Sequence, residues 1–273
     1  MTKKNNVCEL FNLKNKIIVL TGSAGRLGSQ FAHILSEAGA NVALVDLDNN
    51  QNKKLAYMLT KKYHTKPESF IVDITKRSSV EQLKNDVLNK YGKVDGLINN
   101  AHFVPRIHPK RDEPFESYPI DLWNKTLETN ITAIFLLCQE FGKVMVKQQK
   151  GVIVNISSIY GIVGADQRIY GNSRLNSPVS YAATKGAIVN MTRYLAAYWH
   201  RKNVRVNTLT LGGVYDSKLH SDKKFVEKYS EKTMLGRMAR NDEYNGSLLF
   251  LVSDASSYMT GANLIVDGGW TAW

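Results

Sequence analysis

Short apolar, β-branched runs alternate with segments of helical periodicity along nearly the whole chain, and this alternation restricts the possible fold more than any other feature. Residues 16–21 read as a strand ending at glycines, and residues 27–38 carry apolar side chains at helical spacing until Gly39 stops them. Residues 41–46, 69–73 and 94–99 read as further strands, separated by helical patterns over 51–63 and 78–91. One long helix is expected over 121–149, then a strand over 152–157, a helix over 179–201 and a strand over 204–209. A helix over 242–252 and a strand over 263–266 complete the series. Strands that are apolar throughout are buried on both faces, which requires a parallel sheet covered by helices.

The expected fold is therefore α/β, a Rossmann-like doubly wound parallel sheet of about seven strands with helices on both faces. Residues 1–273 are expected to form one domain, since no linker, repeat or low-complexity tract interrupts them. Residues 102–119 and 215–240 lack clear periodicity, and loops after strand ends form the ligand crevice in such folds. No stretch is apolar for the roughly 18 residues that a membrane span needs, and the polar start lacks a signal region, so a cytoplasmic protein is expected. Cys8 and Cys138 are the only cysteines, and Cys138 lies in an apolar run that favours a buried thiol over a disulfide or metal ligand. The net charge of +12 is spread over pairs such as Lys53-Lys54, without the aromatic-interleaved stripe of a nucleic-acid surface. A solvated basic surface is expected, whose field would draw in an anionic small molecule.

Residues 21–28, Thr-Gly-Ser-Ala-Gly-Arg-Leu-Gly, lie between the first strand and the first helix. Glycines there let the backbone approach a pyrophosphate, and the helix N-terminus attracts its charge. Gly22, Ser23, Gly25, Arg26, Leu27 and Gly28 are thus candidate cofactor contacts. Asp46 ends the second strand, where a carboxylate accepts bonds from the adenosine ribose and repels a 2′-phosphate, so NAD is favoured over NADP. Arg26 could instead pair with such a phosphate. Asp73, with Ile74 beside it, could reach the adenine edge or cap the following helix.

The chain holds three Tyr-x-x-x-Lys pairs: Tyr57/Lys61, Tyr181/Lys185 and Tyr198/Lys202. Only Tyr181/Lys185 opens a helix that follows a buried strand, and Ser157 and Ser158 end that strand. Residues i and i+4 share a helical face, so Lys185 can stand beneath the Tyr181 phenol. A phenol titrates near 10, and acting as a base near neutral pH needs a drop of about three units, roughly 4 kcal/mol. A nearby ammonium and an oxidised nicotinamide cation could supply that. Ser158, farther from the strand body than Ser157, would hydrogen-bond the substrate oxygen.

Over residues 13–270 these features resemble the short-chain dehydrogenase/reductase family. The resemblance implies a Ser-Tyr-Lys triad of Ser158, Tyr181 and Lys185, with Asn130 as the fourth catalytic residue, placing a water that links Lys185 to solvent. It implies that Asn100 and Ala101 border the cofactor, that Tyr181 and Lys185 also touch it, and that Gly212 and Val214 approach the nicotinamide. It further implies a homotetramer or homodimer, with residues 267–270 near tetramer contacts, and no metal. Arg26 stands where the family commonly has glycine, with Gly25 shifted forward. His102 replaces a glycine, Leu211 a proline, and Asp216 a threonine. The 23 residues from Ser158 to Tyr181 exceed the family's usual spacing by about ten, placing an insertion at 165–180 beside the catalytic groups. Arg168, Tyr170 and Arg174 within it could read anionic or hydroxyl-rich groups. The insertion, the shifted glycine turn and the closing Asp-Gly-Gly-Trp-Thr-Ala-Trp most resemble the branch linked to flagellin modification and nonulosonic sugars. The expected activity is hydride transfer between NAD and a secondary alcohol or ketone of a sugar-like substrate. Alternatives are an NADPH-dependent ketoacyl-type reductase and a catalytically silent dinucleotide-binding protein, the latter disfavoured by the intact Asn-Ser-Tyr-Lys set.

Overall fold

The computed structural model describes residues 6–105, 110, 113–171, 173 and 176–273. After a one-turn helix α1 (Val7–Leu10), the chain alternates β1 (Ile17–Thr21), α2 (Arg26–Glu37), β2 (Asn41–Asp46), α3 (Asn49–Tyr63), β3 (Glu68–Ile71), α4 (Arg77–Tyr91) and β4 (Gly96–Asn99). The second half runs α5 (Ile120–Leu127), a π-turn (Glu128–Thr132), α6 (Ala133–Gln148), β5 (Gly151–Ser158), α7 (Val179–Tyr198), β6 (Val204–Leu211), α8 (Lys223–Glu231), α9 (Asn245–Val252) and β7 (Asn263–Val266). The seven strands pair in parallel in the order β3-β2-β1-β4-β5-β6-β7. The order reverses between β1 and β4, so a crevice opens at the carboxyl ends of those two strands.

Period-two alternation assigns each strand's side chains to opposite faces. Ile18 and Leu20 of β1 pack with Phe31, Leu44, Val154 and Leu248 on the face covered by α2 and α9. Ile17 and Val19 pack with Val45, Leu97, Phe141 and Ile153 on the face covered by α4 and α6. Each fully buried aliphatic side chain of this kind contributes roughly 1.5–3 kcal/mol. Between β4, β5 and β6 runs a buried polar ladder: the Asn99 amide donates to Asn155 Oδ1 at 2.7 Å, Asn155 donates to Thr192 Oγ1 at 2.9 Å, and Thr208 donates to Thr192 at 2.8 Å.

Four expectations change. The single helix over 121–149 is interrupted by the π-turn at Glu128–Thr132. The aperiodic stretch 215–240 contains α8, whose Phe225 and Tyr229 are its buried residues. Asp73 does not cap α4, whose N-cap is Lys76, and β3 ends earlier, at Ile71. Cys8 and Cys138 are free thiols, and burial pushes the Cys138 thiol up to about 12. No described helix is long and apolar enough to cross a membrane.

Candidate active site

The turn after β1 is shaped by two glycines. Gly22 has φ +65°, and a Cβ there would lie 2.8 Å from Ala101 Cα. A Cβ on Gly28 would meet the Gly22 carbonyl at 1.9 Å, so α2 can approach the turn only without a side chain. The Gly22 and Ser23 amides donate to the Val45 carbonyl at 2.8 and 3.3 Å. Ser23 donates to Asn52 Oδ1 at 2.6 Å, and the Asn52 amide donates to Leu44 O and Ser69 Oγ at 2.9 and 3.0 Å. Asn52 thus ties the turn to β2 and β3, a role the sequence reading missed. Its signal was an Asn on the buried stripe of α3 with Leu55 and Leu59.

Asp46 is locked beside this turn. One carboxylate oxygen accepts the Ala24 amide at 2.9 Å, and the other accepts the Leu47 and Asp48 amides at 2.7 and 3.1 Å. A carboxylate offers about four lone-pair sites, so capacity remains for a ribose hydroxyl. Asn100 donates to the Thr21 and Gly22 carbonyls at 3.0 and 3.1 Å, while Thr21 Oγ1 accepts the Asn100 and Ala101 amides, both at 3.1 Å. Asp73 accepts the Thr75 hydroxyl at 2.7 Å and amide at 3.1 Å, and the hydroxyl bond first of all holds its carboxyl below the usual range. The Ile74 side chain is buried in the core under α4 and α6, whereas Leu27 packs from α2 against the core on the opposite face of the sheet.

On the opposite wall, Gly212 follows β6 with no room for a Cβ, which would lie 2.8 Å from Asp267 Cα. The Gly213 amide donates to the Tyr229 hydroxyl at 2.5 Å, and Val214 bridges to Ala239. Arg26 crosses the crevice to this wall, placing Nη1 2.9 Å from Asp216 Oδ2. Asp216 is held below its ordinary range, first by the Lys218 amide; burial opposes this, and Arg26 adds a smaller lowering effect. No side chain caps the N-terminus of α2, where the helix dipole presents positive charge. An uncapped helix end, a turn without space for side chains and a ribose-side carboxylate together fit a dinucleotide.

The catalytic candidates meet at the end of β5. Ser157 is committed to structure, donating to the Lys185 carbonyl at 2.9 Å. Ser158 Oγ accepts the Tyr160 amide at 3.3 Å, which leaves its O–H to donate. Lys185 is only 3% exposed, donates to the Ile156 carbonyl at 2.9 Å and stands 5.5 Å from the Tyr181 ring centroid. Burial lowers its ammonium to about 8. Asn130 lies in the π-turn, a distortion that recurs at functional sites. Its carbonyl accepts the Phe103 amide at 2.6 Å, its amide donates to the Phe103 carbonyl at 3.0 Å, and Thr184 Oγ1 lies 3.5 Å away. The His102 ring meets Tyr181 edge-on, with centroids 6.5 Å apart.

The insertion docks on α8. Tyr170 is buried, shares a 2.8 Å hydroxyl contact with Tyr160 and stacks on Phe225 at 5.7 Å. Tyr229 packs on Trp270 at 4.5 Å, continuing an aromatic wall that the sequence reading did not single out. Its only signal was the i, i+4 pair Phe225/Tyr229. Arg168 is turned onto Asp166, with Nε and Nη2 at 2.8 and 2.9 Å from the carboxylate, and its side chain is 86% exposed. Tyr170 therefore builds the wall, whereas Arg168 fastens its own turn. Arg174 lies outside the described residues.

A family model described as Enoyl-(Acyl carrier protein) reductase matches residues 22–271. An NAD-dependent glycerol dehydrogenase from Listeria innocua is 33% identical over 96% of both chains. A post-translational flagellin modification protein A from Campylobacter coli is 31% identical over 94% of this chain and 99% of its own length. The crystal structure of a short-chain type dehydrogenase/reductase from Mycobacterium marinum superposes with a TM-score of 0.86 at 26% identity, covering 98% of this chain and 100% of that one. A gluconate 5-dehydrogenase from Burkholderia cenocepacia, solved with NADP and tartrate, gives a TM-score of 0.85 at 27% identity, covering 98% and 100%.

Proposed function

The chain belongs to the short-chain dehydrogenase/reductase family of NAD(P)-dependent oxidoreductases, and from that premise we propose that it transfers a hydride between NAD and a secondary alcohol or ketone of a sugar-like or polyol substrate. The observation that carries this reading is the buried Lys185 beneath Tyr181, beside Ser158 at a strand end. A bound nicotinamide supplies the hydride acceptor or donor. Ser158 donates its O–H to the substrate oxygen and fixes it for Tyr181. In oxidation the Tyr181 phenolate removes the hydroxyl proton, and in reduction the phenol returns it. Lys185, while charged, stabilises the phenolate from its place 5.5 Å from the Tyr181 ring centroid. Asn130 holds Phe103 and with it the loop after β4 at the catalytic helix.

Asp46 supports NAD over NADP, since its fixed carboxylate would repel a 2′-phosphate. Arg26 supports it too, because its guanidinium is engaged by Asp216 on the far wall. Asp46→Ala is expected to shift the NAD/NADP kcat/KM ratio about tenfold toward NADP, roughly 1.4 kcal/mol, and an unchanged ratio overturns the preference. We read residues 1–273 as one cytoplasmic domain that works as a homotetramer or homodimer. The glycerol dehydrogenase relative supports a hydroxyl-rich substrate, and the wall of Tyr160, Tyr170 and Phe225 is the surface that would select it. A panel of polyols, free sugars and nucleotide-linked sugars, followed by NADH absorbance, tests the assignment. Turnover of at least one polyol or sugar is expected; its absence across the panel sinks the substrate class.

A further inference from the structure

Arg26 and Asp216 are 190 residues apart and each breaks the pattern that the rest of the cofactor site follows, yet they touch. Arg26 is the first residue of α2, so its backbone stands at the helix end that attracts a diphosphate. Its side chain leaves that end and spans the crevice. Nη1 lies 3.3 Å from the Tyr215 carbonyl and Nη2 3.4 Å from the Val214 carbonyl, in addition to the 2.9 Å contact with Asp216.

Asp216 is fixed from its own side as well. Its Oδ1 accepts the Lys218 amide at 2.9 Å, and its carbonyl accepts the Leu219 and His220 amides at 3.1 and 2.8 Å. Its amide donates to His220 Nδ1 at 3.0 Å. A carboxylate anchored in this way stays at the rim of the groove that a dinucleotide must enter. Unmasked, it would repel the two phosphate charges; beside Arg26 the repulsion is cancelled.

We propose that Arg26 and Asp216 are a coupled positioning pair for the dinucleotide, in which Arg26 straps the Val214 to Asp216 wall across the groove and masks the Asp216 carboxylate from the diphosphate. The proposal rests on the dinucleotide reading above. It assigns Arg26 no contact with the reacting atoms, so its effect falls on cofactor affinity and KM and leaves kcat nearly intact. It also makes an asymmetric demand: removing Arg26 alone harms binding more than removing both charges, because the single change leaves a fixed negative charge uncompensated.

The test is calorimetric titration of NAD into wild type, Arg26→Ala, Asp216→Asn and the double variant, at low and high sodium chloride, with steady-state kinetics alongside. Arg26→Ala is expected to weaken NAD binding and raise its KM by about tenfold at low salt, with kcat within about threefold. High salt should shrink the deficit, because screening weakens the unmasked repulsion. The double variant should recover most of the loss. A double variant as weak as Arg26→Ala, a deficit that salt does not change, or an Arg26→Ala protein that binds like wild type each overturns the pair. Should Arg26→Ala fail to fold, Arg26→Gln keeps most of the stem, removes the charge and carries the same expectation. Wild type that binds neither NAD nor NADP instead overturns the dinucleotide reading itself.

Discussion

Tyr57/Lys61 on α3 and Tyr181/Lys185 on α7 share a spacing and nearly a geometry, with ammonium-to-ring distances of 5.6 and 5.5 Å. Their surroundings differ. Tyr57 is 64% exposed on a helix facing water, whereas Lys185 is buried against β5 with its ammonium on the Ile156 carbonyl. Helical spacing therefore produces the contact, and burial at a strand end is what sets the Tyr181/Lys185 pair apart as the proposed catalytic one. In water the pair is a weak surface interaction; in the crevice the same ammonium acts through a low dielectric on whatever charge the phenol acquires.

The largest effect that separates the two pairs is expected from Tyr181→Phe. Without the phenolic oxygen, turnover should fall about 10³-fold while dinucleotide binding changes less than about twofold, as paired kinetics and calorimetry would show. Retained turnover with cofactor bound removes Tyr181 as the proton carrier. Lys185→Met should cost about 10²-fold in kcat, with activity falling even as the fold gains stability.

That gain has a defined pH course. Burial lowers the Lys185 ammonium from 10.5 to about 8, so between those values the unfolded chain binds more protons than the folded one. Native stability rises with pH across that window, and the full cost of the buried charge is borne below about 8. Urea melts of Lys185→Met should therefore show a gain of roughly 2 kcal/mol near neutrality that fades toward pH 10. A constant gain, or none, contradicts the burial argument. At the small end, the double change Tyr57→Phe with Lys61→Met should leave kcat within about twofold and stability within about 0.5 kcal/mol. A larger loss of activity breaks the comparison from the other side.

The strands and most helices could be read in advance because a doubly covered sheet makes its apolar runs continuous, as β1 and β5 show. Three features could not. The π-turn at Glu128–Thr132 accompanies the grip of Asn130 on Phe103, a tertiary contact that local periodicity does not encode. The helix α8 has nine residues, and its buried face is only Phe225 and Tyr229, too little to register as a period. The contact between Arg26 and Asp216 depends on the parallel strands β1 and β6 having their carboxyl ends on the same side of the sheet, which neither residue announces locally. The candidate residues Ser158, Tyr181 and Lys185 were legible because their constraint is short-range: a strand end followed by one helical turn. The aromatic wall of Tyr170, Phe225, Tyr229 and Trp270 was not legible, because it is assembled from distant segments.

That assembly has a consequence for how such a protein can change. The insertion is riveted to α8 by the stack of Tyr170 on Phe225, by Lys228 donating to the Arg168 carbonyl at 3.1 Å and by Lys232 reaching Asp166 at 2.8 Å. Neither partner can be exchanged by itself. A transplanted insertion without its α8 would lose the stack of Tyr170 on Phe225 and both lysine contacts. A change of specificity made in the insertion is therefore expected to need a matching change in α8.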